Sequence, residues 1–200
     1  MERQETSGEY RYETLFGSSW KNRLQRKNTK IYQGFGVNLA PLSAKGVKQI
    51  QETAKDRRLK KARLIVSSPY TRALQTAAIL SKELDLEIAV ETDLHEWTAD
   101  KRYQYVPDDE VEARYQEFEE RGGQYPEGEE RDWEDCQTLR CRALAALERY
   151  RGQGPLIVTC HGLLIQALSG GYRAKNGEIV RVSMRADGRT SAWADGRAPY

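Results

Sequence analysis

The sequence predicts an α/β fold: a three-layer, mostly parallel sheet flanked by helices. Three observations carry that expectation. Two short apolar runs, Ala62-Arg63-Leu64-Ile65-Val66-Ser67-Ser68 and Pro155-Leu156-Ile157-Val158-Thr159-Cys160, have the length and flanks of strands buried on both faces. Each is followed at once by a segment with helical spacing, through Arg72, Leu74, Ala77 and Leu84 in one case and Leu163 to Leu168 in the other. Strands that alternate with helices pack as right-handed crossovers onto one parallel sheet.

The elements follow in order. Ala40-Pro41-Leu42-Ser43-Ala44-Lys45-Gly46 precedes Val47, Ile50, Gln51 and Ala54, so Ser43 is placed to cap a helix. The first apolar run then forms a strand, Pro69 breaks it, and the helix through Arg72 begins. Glu87-Ile88-Ala89-Val90 reads as a further strand leading into Thr92-Asp93-Leu94-His95-Glu96-Trp97. Residues 98–131 are charged, with Tyr, Pro and Gly interspersed, and read as an insertion or lid with some helix around 110–120. Residues 133–150 carry Leu139, Ala143, Leu144 and Leu147, an amphipathic helix. Ile179-Val180-Arg181-Val182 reads as a last strand. The expected organisation is a single domain over 1–185 and a loosely ordered tail over 186–200.

The composition narrows the functional classes. A chain of 200 residues suits one domain, and 38% hydrophobic residues distributed in blocks exclude global disorder. A net charge of +2 supplies no field for nucleic acid. No apolar run approaches the roughly 20 residues that cross a bilayer, and the first residues have no apolar signal core. Cys136, Cys141 and Cys160 are odd in number and lack a framework spacing, which fits reduced thiols in a cytoplasmic protein. Cys136 and Cys141 do not share a helix face, so no structural metal is expected.

Ligands of such sheets sit beyond the carboxyl ends of the strands. Two candidate groups lie there. In Ser67-Ser68-Pro69-Tyr70-Thr71-Arg72 a strand end opens a helix, whose N-terminus favours an anion, and Arg72 adds a planar donor fork. The same residues also fit a capped helix with a surface arginine. His161 stands where a buried strand meets a helix, beside Gly162, as a ligand contact or as a structural histidine at a strand end. Glu96 follows a third strand and could serve as a general acid; His95 beside it could be a ligand contact or an ordinary loop residue.

These segments resemble the histidine phosphatase (phosphoglycerate mutase-like) superfamily. Pro41-Leu42-Ser43-Ala44-Lys45-Gly46 is similar to its PLT-x-x-G segment, and Ser67 to Ala77 is similar to its SSP-x-x-RA-x-QTA motif. Leu94-His95-Glu96 resembles the segment bearing the catalytic acid. Tyr125-Pro126-Glu127-Gly128-Glu129 resembles the PGGES turn, and Val158-Thr159-Cys160-His161-Gly162 the second histidine motif. The resemblance covers about 32–182 and implies a mechanism. A histidine in a first-strand RHG motif attacks phosphorus, arginines and the second histidine hold the phosphoryl oxygens, and a carboxylic acid protonates the leaving oxygen. The positive pocket balances the charge, so no metal or other cofactor is required. Carried over by motif, Ser68, Arg72 and His161 would bind the phosphoryl group, with His161 and Glu96 the catalytic pair.

The first-strand motif does not match. The chain has only two histidines, His95 and His161. Arg3-Gln4-Glu5-Thr6 is similar to RHGET without the histidine and without a strand before it. Alternatively Tyr10-Arg11-Tyr12-Glu13-Thr14-Leu15-Phe16 is the strand, and Leu15-Phe16-Gly17-Ser18-Ser19 stands where RHGES would. A lost nucleophile and a truncated or frame-shifted N-terminus fit equally. Two functions therefore stand: a hydrolase of small phosphomonoesters, or a phosphate-ligand binding or regulatory pseudoenzyme. Lys101, Arg102, Tyr103 and Tyr105 would line the inner side of the insertion.

Overall fold

Ile65, Val66, Ile157 and Val158 are all fully buried, because each neighbouring pair sends one side chain to each face of a sheet covered on both sides. The computed structural model describes residues 9–16, 36–185 and 189–194. In chain order the elements are β1 (Glu9–Phe16), α1 (Gly36–Leu39), α2 (Ala44–Thr53), β2 (Leu64–Ser67), α3 (Thr71–Leu84), β3 (Ile88–Val90), α4 (Asp108–Glu120), α5 (Cys136–Glu148), β4 (Leu156–Cys160), α6 (Gly162–Leu168), β5 (Ile179–Arg185) and β6 (Thr190–Ala194). Short 3₁₀ turns lie at Arg57–Lys61 and Thr92–Leu94.

The six strands form one sheet in the order β3-β2-β4-β1-β5-β6. β3, β2, β4 and β1 run parallel, whereas β5 runs antiparallel to β1, and β6 to β5. Ile65 and Ile157 face Ile50 of α2 and Ala77 and Leu80 of α3. Val66 and Val158 face Leu139, Ala143 and Leu147 of α5 and Leu164 and Leu168 of α6. A mostly parallel sheet between two helical layers is therefore the architecture, as the buried runs imply.

Local chemistry sets the boundaries. Ser43 caps α2 by accepting the Gly46 N–H at 3.1 Å. Asp135 caps α5 by accepting the Thr138 N–H at 2.6 Å, which is why that helix starts at Cys136 and not at Trp133. Trp133 instead packs with Trp97 and Phe118 in a small third core, so the insertion that contains α4 is anchored by aromatic contacts.

Two expectations need correction. The last residues are not a loose tail throughout: 190–194 pair with β5 as an antiparallel edge strand, from Met184↔Thr190 to Val180↔Ala194. Pairing along β5 satisfies backbone groups that a free tail would leave to water. β5 itself runs on to Arg185, because Ser183 and Met184 are buried against β1 and the core. Among the described residues no helix is long and apolar enough to cross a membrane.

Candidate active site

The parallel ladders align the carboxyl ends of β2, β4 and β1. Ser67 pairs with Thr159, and Phe16 with Cys160. Beyond the ladder the Ser68 N–H donates to the Thr159 carbonyl at 2.9 Å, which holds Ser68 beside the end of β4. His161 follows Cys160 and is fully buried. Arg72 lies in the first turn of α3, whose N-cap Tyr70 makes no side-chain capping bond. That helix end therefore keeps its positive pole directed at the strand tips.

The three side chains meet. An Arg72 guanidinium N–H lies 3.0 Å from His161 Nδ1, and Ser68 Oγ lies 2.7 Å from His161 Nε2. Arginine only donates, so Nδ1 is the acceptor and Nε2 carries the proton. The His161 Nε2–H then donates to Ser68 Oγ, which also accepts the Tyr70 N–H at 3.3 Å. Burial, reinforced by the positive Arg72, holds the His161 imidazole well below its ordinary 6.5. The Tyr70 ring covers the cluster, 5.0 Å from the His161 ring and 5.0 Å from the Arg72 guanidinium carbon. Burial pushes the Tyr70 hydroxyl up to about 12, so it keeps its proton.

The segment after β3 closes one side. His95 is buried; its Nδ1–H donates to the Glu96 carbonyl at 2.7 Å, so Nε2 accepts the Tyr103 hydroxyl at 3.2 Å. Burial, then the charge of Arg142, lowers its proton affinity. Glu96 accepts the Trp97 N–H through Oε1 at 3.0 Å, and its charge acts on Arg72, offsetting part of the burial that depresses that guanidinium. The arrangement combines a guanidinium, a hydroxyl and a helix N-terminus around one point, with a carboxylate beside it. Such a set can bind a tetrahedral anion and deliver a proton to it.

Of the four insertion residues expected to face inward, Tyr103 reaches the site. Lys101 bonds Glu130 and lies over the Tyr125 ring, Arg102 is held by Asp100, and Tyr105 is exposed. Three participants escaped the sequence reading: Tyr70, Glu134 and Arg142. Arg142 had a signal, because it sits among the apolar positions Leu139, Ala143 and Leu147 of α5, where a charge must find fixed partners. β1 forms and ends beside β4, at Phe16; Arg3-Gln4-Glu5-Thr6 and Gly17-Ser18-Ser19 lie outside the described residues. Among those residues no cluster of His, Cys, Asp and Glu could hold a metal ion.

The model of the histidine phosphatase superfamily (branch 1) matches residues 25–183. The chain belongs to the histidine phosphatase superfamily. Histidine phosphatase folds of known structure resemble it along almost its whole length. A mycobacterial glucosyl-3-phosphoglycerate phosphatase, solved with VO3, is 20% identical with a TM-score of 0.66, covering 96% of this chain and 100% of that one. YhfR of Bacillus stearothermophilus is 20% identical with a TM-score of 0.66, over 94% and 98% of the two chains. A phosphoglycerate mutase of Bacillus anthracis is 18% identical with a TM-score of 0.64, over 97% and 96%. No curated protein matches the chain in sequence.

Proposed function

We propose that this superfamily member is of the phosphomonoester hydrolase type, taking the phosphoryl group of a small phosphorylated metabolite at the carboxyl ends of β2 and β4. The observation that carries the reading is the buried contact of Arg72 with His161, and of His161 with Ser68. In this reading the Arg72 fork and the Ser68 hydroxyl grip phosphoryl oxygens. His161 holds both in place and lends its Nε2–H to the pocket. Water attacks phosphorus as the P–O bond to the leaving oxygen breaks; Glu96, in its protonated form, gives that oxygen its proton, which is replaced through solvent by the one the attacking water releases. The vanadate-bound and phosphate-bound structures of the mycobacterial phosphatase support a phosphorylated ligand by analogy of fold. The absence of a bulk basic field agrees with a small metabolite in the cytoplasm.

A second reading, phosphate-ligand binding or regulation without turnover, rests on one specific observation. The chain has two histidines, and each has both ring nitrogens engaged, His161 with Arg72 and Ser68, His95 with Glu96 and Tyr103. At the end of β1 stand Leu15 and Phe16, neither a nucleophile. Where a covalent intermediate carries the reaction, loss of its nucleophile costs about a millionfold in rate. Hydrolysis of p-nitrophenyl phosphate by the chain and by His161→Ala separates the two. The hydrolase reading expects turnover that the variant lacks. Equal rates in both, together with saturable vanadate binding, establish the binding reading instead.

A further inference from the structure

Arg142 of α5 spends every N–H it has on fixed acceptors. Its Nε and one terminal nitrogen form a fork on the Glu134 carboxylate, at 2.6 and 2.9 Å. The other terminal nitrogen donates to the Asp93 carbonyl at 2.6 Å and the His95 carbonyl at 2.9 Å, and the fork nitrogen also reaches the Glu96 carbonyl at 3.3 Å. A guanidinium has five N–H groups, so three of them hold the main chain of the short segment that carries Glu96. Both partners of the ion pair are shielded from water, with side-chain exposures of 13% and 4%. The Glu134 main chain grips the same segment from its far side. Its carbonyl accepts the Trp97 indole N–H at 2.6 Å, and its N–H donates to the Thr98 carbonyl at 3.0 Å.

Residues 93–98 therefore have little ladder or helix support of their own beyond one 3₁₀ turn, yet they are fixed at five points by Glu134, just before α5, and Arg142, in its middle. Fixing is what a proton donor needs, since misplacement by about 1 Å is costly in rate. We infer that the Glu134–Arg142 pair is a positioning device that aims Glu96 at the anion site. The inference rests on the phosphomonoester reading above for what Glu96 is aimed at, but not for the clamp itself.

The test uses sulfate, which keeps its charge across the neutral range, as probe of the anion site in the full chain. Glu96→Gln removes a negative charge beside Arg72 and tightens sulfate binding by about fivefold, the size of a charge pair several ångströms apart in a partly screened site. In Arg142→Lys, which keeps the charge but not the five donors, and in Glu134→Gln, the same Glu96→Gln step falls below about twofold. Amide exchange over 92–98 rises about tenfold in both variants while β4 stays protected. This local pattern separates release of the segment from general loss of stability. Unchanged exchange over 92–98 overturns the clamp, whatever sulfate does. A full Glu96→Gln effect in both backgrounds overturns the aiming. No sulfate binding to the unaltered chain overturns the anion-site reading and the aim with it, and the exchange data still decide the clamp.

Discussion

Acidification from pH 7.5 to 5.5 is expected to destabilise the chain through its two buried, neutral histidines. In the unfolded chain each titrates near 6.5. In the folded chain burial and the neighbouring guanidinium groups lower both. The unfolded state thus binds more protons, and stability that is fully present above about 6.5 is lost as pH falls toward the folded values. For a ring still neutral in the fold at pH 5.5, the loss over this window is on the order of 1 kcal/mol. His161, held well below its ordinary value, contributes most of it, and His95 adds between nothing and about as much again. The expected loss is therefore roughly 1 to 3 kcal/mol. The carboxylates that the fold holds low, Asp56, Asp100, Glu117 and Glu130, lose their contributions only nearer pH 4 and do not enter the window. Urea unfolding followed by tryptophan fluorescence at pH 7.5, 6.5 and 5.5 measures the slope. In His161→Gln, whose amide can still accept from Arg72 and donate to Ser68, the loss shrinks by about 1 kcal/mol. A stability flat with pH in the unaltered chain, or an equal slope in the variant, would refute the neutral, buried imidazole.

Ser68→Ala leaves the His161 Nε2–H buried without its acceptor and is expected to cost about 1–3 kcal/mol in urea unfolding at pH 7.5. In a His161→Ala background, which has no ring N–H to strand, the Ser68→Ala penalty should shrink, so the double variant loses less at pH 7.5 than the two single losses added together. Gly123→Ala is expected to cost about 2–4 kcal/mol, since Gly123 has φ +78 and a Cβ there would lie 2.9 Å from Phe118 and Cys136. Gly122→Ala, at φ +62 with open space around it, carries only the backbone cost of about 1 kcal/mol, and thermal melts of the pair separate the two terms.

What could be read in the residues was whatever burial on both faces writes into the chain. β2 and β4 are apolar runs because helices cover them on each side, and Ser43 announces α2 because a helix start needs an acceptor. The convergence of Arg72 and His161 followed from both lying at strand ends, though only the parallel register of β2 and β4 brings them into contact. β6 was illegible as a strand because 190–194 is short and its alternation is weak. Arg142 showed only as a charge among apolar positions, not by what it holds. Its main-chain acceptors belong to a segment more than 45 residues away, and such acceptors leave no trace in sequence. Glu134 grips the same segment through its own main chain, which is equally silent. Nothing in the sequence aims Tyr70, between Pro69 and Thr71; the turn into α3 lays its ring over His161.

Titration of the chain with inorganic phosphate, beside Arg72→Lys, bears most directly on the claim that Arg72, Ser68 and His161 form a phosphoryl site. Saturable binding to the unaltered chain is expected, and at least about tenfold weaker binding to the variant, because a lysine cannot present the planar fork. No saturable binding up to millimolar phosphate, or equal affinity in the two proteins, would contradict it.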